Sequence, residues 1–175
     1  MTQYNDRRQA VLSRLDALLS DIGPIVLLGG PNGATTIAEG NYVLNRNALP
    51  ENLVPGIILM DADEVRNVRQ TQPPPGMAQR GVSDQVMSMT PEIYIVLDVR
   101  KPQNENVGAD LNTARLAILA AVLPDTGLWN IVGANGNIVY DGCVTDLARN
   151  RLVQGQMGIS ITFSYPLKRT EYVGV

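Results

Sequence analysis

Apolar residues recur at helical spacing at the start of the chain. Over residues 5–22, Val11, Leu15, Leu18 and Ile22 form one stripe and Leu12 and Leu19 widen it. Asp6, Arg7, Arg8, Arg14 and Asp16 fill the other side. This pattern predicts an amphipathic helix, stopped at Gly23-Pro24, where glycine suits the position after a helix and proline cannot continue one. Residues 24–40 are ambiguous. Ile25-Val26-Leu27-Leu28 reads as a short strand or a buried turn, and Gly29-Gly30-Pro31-Asn32-Gly33 as a loop or hairpin tip. Residues 41–46 predict a short strand, and Ala48 to Pro55, with two prolines, a connector.

Gly56 to Met60 is a compact apolar strand running into Asp61, Asp63 and Glu64. Residues 65–84, with three consecutive prolines and interspersed glutamine, glycine and arginine, predict a long exposed loop. Loops of that length within a domain tend to be functional. Val86 to Val99 alternates as a long strand, with Pro91 marking an edge, a bulge or a break. A turn over Asn104 to Gly108 leads to a second helix, Ala109 to Leu123. Asp110 is its expected cap, and Leu111, Ala114, Ile118 and Val122 form its buried stripe. Pro124 to Gly127 ends that helix. Leu128–Val132 and Asn137–Tyr140 flank Asn135-Gly136 and predict a hairpin. Gly158 to Tyr165 alternates cleanly, with Ile159, Ile161, Phe163 and Tyr165 on one face and Ser160, Thr162 and Ser164 on the other, as in a sheet with one wet face.

The order helix, strands, helix, strands contains no repeated strand–helix–strand unit. It predicts a single α+β domain over residues 1–175: a mainly antiparallel twisted sheet with two amphipathic helices on one face. Composition supports a core, with 45% hydrophobic and 18% charged residues, built mainly from aliphatic side chains since Phe and Trp occur once each.

Charge and residue usage narrow the function. Fourteen basic against 17 acidic residues give a net charge of −3. A duplex-binding domain normally carries a basic surplus to displace phosphate counterions, so specific nucleic-acid binding is not expected. Histidine is absent, which removes the commonest general base and transition-metal ligand. Cys143 is the sole cysteine, which excludes an intrachain disulfide and a thiolate zinc cluster within one chain. It reads as a small, semi-buried side chain near a turn. The opening segment lacks the apolar core of a signal peptide, and no apolar run approaches a membrane span. Both point to a chain made in a cytoplasm and kept off membranes.

Candidate chemistry is sparse. The glycine-rich stretch 29–33 lacks the Gly-Lys-Ser/Thr ending of a phosphate loop. Asp61, Asp63 and Glu64 end a strand, where carboxylates can hold Mg²⁺ or form a solvated acidic turn, and Asp61 and Asp63 with Asp98 would be the carboxylates of a metal-dependent hydrolase. No nucleophile elbow occurs around any serine. The expectation is a non-enzymatic chain with no catalytic, cofactor-binding or metal-binding residue. Within the loop, Arg66, Arg69, Gln72, Pro74, Met77 and Arg80 are the candidate partner contacts, with the arginines facing an acidic protein surface or DNA phosphates.

Several segments in order resemble the tail-terminator (tail-completion) proteins of long-tailed bacteriophages. They are the opening helix, the stretch Tyr42 to Asn47 leading through Leu49-Pro50-Glu51, Val54 to Glu64, Met89 to Leu97, Tyr140 to Arg149 and Gly158 to Tyr165. The resemblance runs roughly from residue 5 to 168, and is weakest over 27–40 and 66–84. It implies a structural virion protein of the tail and neck, assembled in the host cytoplasm as a homo-oligomeric ring, typically a hexamer. Such a ring caps the tail tube, stops its polymerisation and joins tail to head. Its partners would be the major tail tube protein and a head connector or stopper protein. Genomic DNA would pass through the lumen without specific binding. The family has no catalytic residues or cofactors to carry over. The neighbouring alternative is a head-completion or stopper protein of the same neck.

Overall fold

The computed structural model of the chain describes residues 6–30, 33–66, 85–98, 106–146 and 154–167. Asp6 caps the first helix, α1 (Arg7–Ser20), by accepting a hydrogen bond from the Gln9 amide at 3.1 Å. Val11, Leu12, Leu15 and Leu19 are its buried stripe, one helical face as the sequence spacing requires. The ambiguous stretch resolves into an antiparallel hairpin, β1 (Ile25–Gly30) with β2 (Gly33–Ile37), forming a small sheet of its own.

The main sheet is built on a 14-residue strand, β9 (Gln154–Leu167). Along one side of it run β6 (Gln85–Met89) and β7 (Glu92–Asp98). Met89 pairs with Phe163 and Glu92 with Ser160, so β6 and β7 keep a single register against β9 and act as one long strand interrupted at Thr90-Pro91. Proline lacks the ladder N–H, which accounts for the break. The next column holds β4 (Gly56–Met60) beside β7 and β5 (Glu64–Arg66) beside β6, with β3 (Tyr42–Leu44) outside β4. The β3–β4 pair is parallel and all the others are antiparallel. On the opposite side of β9 lies β8 (Asn137–Asp146). Its register shifts between Tyr140 and Gly142, which makes Asp141 a bulge.

The expectation of an α+β fold with a mainly antiparallel sheet holds, but three helices cover the face instead of two. The second helix, α2 (Val107–Val122), buries Leu111, Ala114, Ile118 and Val122 as predicted. Residues expected to form one arm of a hairpin are instead a third helix, α3 (Thr126–Val132). Asp125 caps it by accepting from the Leu128 amide at 2.8 Å, and Gly133, at φ 78°, ends it in a backbone conformation that favours glycine. Asn135-Gly136 therefore links a helix to β8, and the true hairpin is β8–β9.

Asp110 also differs from expectation. It is not the cap of α2 but a fully buried carboxylate in its first turn. One oxygen accepts from the Leu28 amide at 2.6 Å, the other from the Gly29 amide at 2.9 Å. Asn106 adds a donor to the Gly29 carbonyl at 2.8 Å, which bolts the β1–β2 hairpin to the start of α2.

Helices and hairpin together close one core over the sheet. Ile57, Leu59, Ile93, Ile95, Ile159, Ile161, Phe163 and Tyr165 supply the sheet side of it. Each fully buried aliphatic or Phe side chain contributes about 1.5–3 kcal/mol by leaving water. A second, smaller cluster (Val43, Leu49, Ile58 and Val96) sits on the opposite face at the β3–β4 end.

Candidate assembly surface

The helix-free face of the sheet is formed by the alternate positions that the core does not use. Along the middle of β9 and beside it on β6 these include Gly158, Ser160, Thr162, Ser164 and Ser88, whereas β7 places Tyr94 and Val96 there. Ser88 and Ser164 hydroxyls meet at 3.0 Å, and Thr90 and Thr162 hydroxyls at 2.8 Å, as cross-strand pairs. The Thr162 hydroxyl also donates to Asp141, the bulge residue. No lysine or arginine occurs on β6, β7, β8 or β9, whereas Glu92, Asp98, Asp141 and Asp146 do. A recess of about 260 Å³ opens on this face between Glu92, Tyr94, Val144, Asp146 and Gly158. The Tyr94 hydroxyl donates to Glu92, and that bond, ahead of partial burial, raises the phenol above its usual range.

The sheet ends in two open edges. β8 pairs only with β9, and its outer residues are exposed: Val144 by 78% and Val139 by 41%. At the other side, Leu44 on β3 is 42% exposed and Val65 on β5 57%. Natural sheets blunt such edges with lysine, proline or bulges. β8 carries the bulge at Asp141 but neither lysine nor proline. These edge residues are half of the large exposed apolar side chains among the described residues.

The edges are held rigidly from behind. Arg8 ties α1 to the segment after β4, reaching Asp61 at 2.7 Å and the Ala62 carbonyl at 2.9 Å. The Tyr165 hydroxyl donates to Glu64 on β5. Burial first, and this bond second, push the Tyr165 phenol far above its ordinary range. Tyr42 on β3 is raised for the same two reasons, donating to Asp16 at 2.7 Å. Near β8, Arg115 reaches the Tyr140 hydroxyl at 3.0 Å.

Of the loop residues singled out in the sequence, Arg66 is the last residue of β5 and is exposed. Its strand, Glu64–Arg66, corrects the expectation that the loop begins at residue 65; paired to β6, these residues continue the sheet. Arg69, Gln72, Pro74, Met77 and Arg80 lie outside the described residues. The carboxylates considered for a metal do not converge. Asp61 is engaged by Arg8 and Glu64 by Tyr165, while Met60 pairs with Glu92, six residues before Asp98 on β7. Six residues of strand span about 20 Å. Among the described residues no group of three or more metal-ligating side chains forms.

Cys143 corrects another expectation: it is exposed, and sits within β8 rather than beside a turn. The open edge at β8 was missed in the sequence. The signal there is faint: Cys143, Val144 and Thr145 suit a strand, but Asp141-Gly142 reads as a turn and hides the continuation of Asn137 to Tyr140. No family model and no curated protein matches the chain.

Proposed function

We propose that the chain is a structural subunit of a long-tailed bacteriophage. It assembles into a ring at the head-proximal end of the tail tube, ends tube polymerisation and joins tail to head. The observation that carries this reading is the sheet, free of helices on one face and open at both edges. A single copy leaves those edges unpaired, and contacts between two different edges generate rings when the rotation closes. The part of the helix-free face formed by β7, β9 and β8 suits a DNA passage. Hydroxyls and carboxylates without cations on its central strands offer phosphates no counterion-releasing grip, so a duplex would slide past it. The sequence resemblance described above supports the same role.

The test is electron microscopy of particles assembled without the protein. Overlong tubes detached from filled heads are the expected result. Tubes of normal length beside unjoined heads would move the role to a head-side connector. Intact, joined particles would refute a neck function.

A further inference from the structure

From the strand directions and edge charges we infer that β8 of one copy pairs antiparallel with β3, the outermost strand of the opposite edge, in the next, making a head-to-tail contact between copies. This names the contact surface within the ring reading and rests on it.

Direction comes first. β8 is antiparallel to β9, β9 to β7 and β7 to β4, while β3 is parallel to β4. β8 therefore runs opposite to β3. β5, antiparallel to β6 on the same register as β7, also runs opposite to β8. Rotating a copy about an axis along the strands brings the two edges together as an antiparallel pair, which needs no inversion of either sheet.

Height comes next. Cys143 pairs with Ile159, Ile159 with Ile93, Ile93 with Leu59 and Leu59 with Leu44. One row thus crosses the whole sheet, from one exposed edge to the other, on the helix side.

Charge chooses between two ways of using β8. Asp141 and Asp146 are exposed at its edge and have no ion-pair partner among the described residues. Pairing β8 with β8 of another copy through a two-fold axis between Cys143 and Val144 would set Asp141 against Asp146 of the other copy. On the other edge Arg46, just beyond β3, is exposed and equally free of a carboxylate partner among the described residues. It lies within about a residue of the height of Asp141, since Leu44 pairs with Leu59, Met60 with Glu92 and Glu92 with Ser160, which faces Gly142. Asp61 and Glu64 there are already taken by Arg8 and Tyr165, leaving Asp63 as the exposed carboxylate. Arg115, the cation behind β8, is held by Asn112 and Tyr140. Acidic edge against basic edge is the complementary choice, and like-charge contact disfavours the symmetric one.

Two experiments on the full chain test this. Leu44→Cys adds one cysteine to a chain whose sole other thiol is the exposed Cys143. Oxidation should give disulfide ladders longer than dimers, because each copy then links to two neighbours, and the wild type should give none. In the second, one variant carries Asp141→Lys and another Arg46→Glu, each with its fold checked by circular dichroism. Each alone should associate at least about tenfold more weakly than the wild type in sedimentation, and mixing the two should restore assembly, since each supplies the edge the other needs. Wild-type dimers through Cys143, or undiminished association of the Arg46→Glu variant, would show the symmetric contact and overturn the inference. So would the absence of both ladder and rescue by mixing. Failure here with tails still capped by the protein would discard this contact and leave the ring reading standing. Ladders and rescue from a protein whose loss leaves joined tails would do the opposite.

Discussion

Replacing Asp110 with Ala tests whether one buried carboxylate holds the β1–β2 hairpin onto the helical layer. The substitution removes both acceptors for the Leu28 and Gly29 amides, now 2.6 and 2.9 Å away. The Gly29 amide bond is buried and the Leu28 one partly so, so water repairs the second more easily than the first. An orphaned buried donor costs about 1–3 kcal/mol, and bonds to an ionised acceptor lie toward the upper end. Against this stand the relief of burying a charge and roughly 0.5 kcal/mol from the better helix propensity of Ala. The carboxylate also sits in the first turn of α2, where the helix dipole favours a negative charge, and that term is lost as well. The expected net loss is about 2–3 kcal/mol, or roughly 4–12 °C in Tm for a chain of this size. Asp110→Asn should lose nearly as much, because its amide group turns a donor toward one of the two backbone donors. Urea denaturation gives the energy, and amide exchange at Leu28 and Gly29 reports the site. A variant within about 0.5 kcal/mol of the wild type, with both amides still protected, would refute the reasoning.

Gly56→Ala should destabilise by about 2–3 kcal/mol, measured by thermal melting, because a Cβ there would lie 2.5 Å from the Asn41 and Leu53 carbonyl oxygens, both backbone. The Arg14 guanidinium beside Asp125 holds that carboxyl below its ordinary 3.8. A depressed carboxyl stabilises the fold above its unfolded value, and that gain disappears as pH falls through the folded value. The stability gap between wild type and Asp125→Asn should therefore be present at about pH 6 and narrow as pH falls below the unfolded value and on through the lower, folded one. A gap unchanged across that range in urea titrations would remove the ion pair from the account. Deleting residues 70–80 should leave the melting curve close to that of the wild type while tails fail to join; normal joining by the deletion variant would deny the loop a role in assembly.

Local pattern carried much of the architecture. The 3.6-residue stripes of α1 and α2 and the alternation of Ile159 to Tyr165 each name a buried face, because a helix or strand can hide only the side chains its period brings together. Pro91 was legible as a break for the same local reason. α3 was misread because its five apolar-rich residues are too short for periodicity to separate helix from strand. The deciding signals were at its ends, Asp125 and Gly133. Asn135-Gly136 then lost its meaning as a hairpin turn, since a turn of that kind needs a strand on both sides.

What the sequence alone determined, then, is the strongly periodic elements, α1, α2 and residues 158–165 within β9, and the face each one buries, together with the exclusion of chemistry that needs histidine or a second cysteine. What only the tertiary structure decided is adjacency. β8 becomes an edge, Asp110 an anchor and Asp141 a bulge through partners 10 to 82 residues away in sequence. Short-range periodicity cannot encode those pairings, because loop closure costs about the same for many alternative partners. They are settled when the whole apolar face closes at once, and the edges left over are the surface available for assembly.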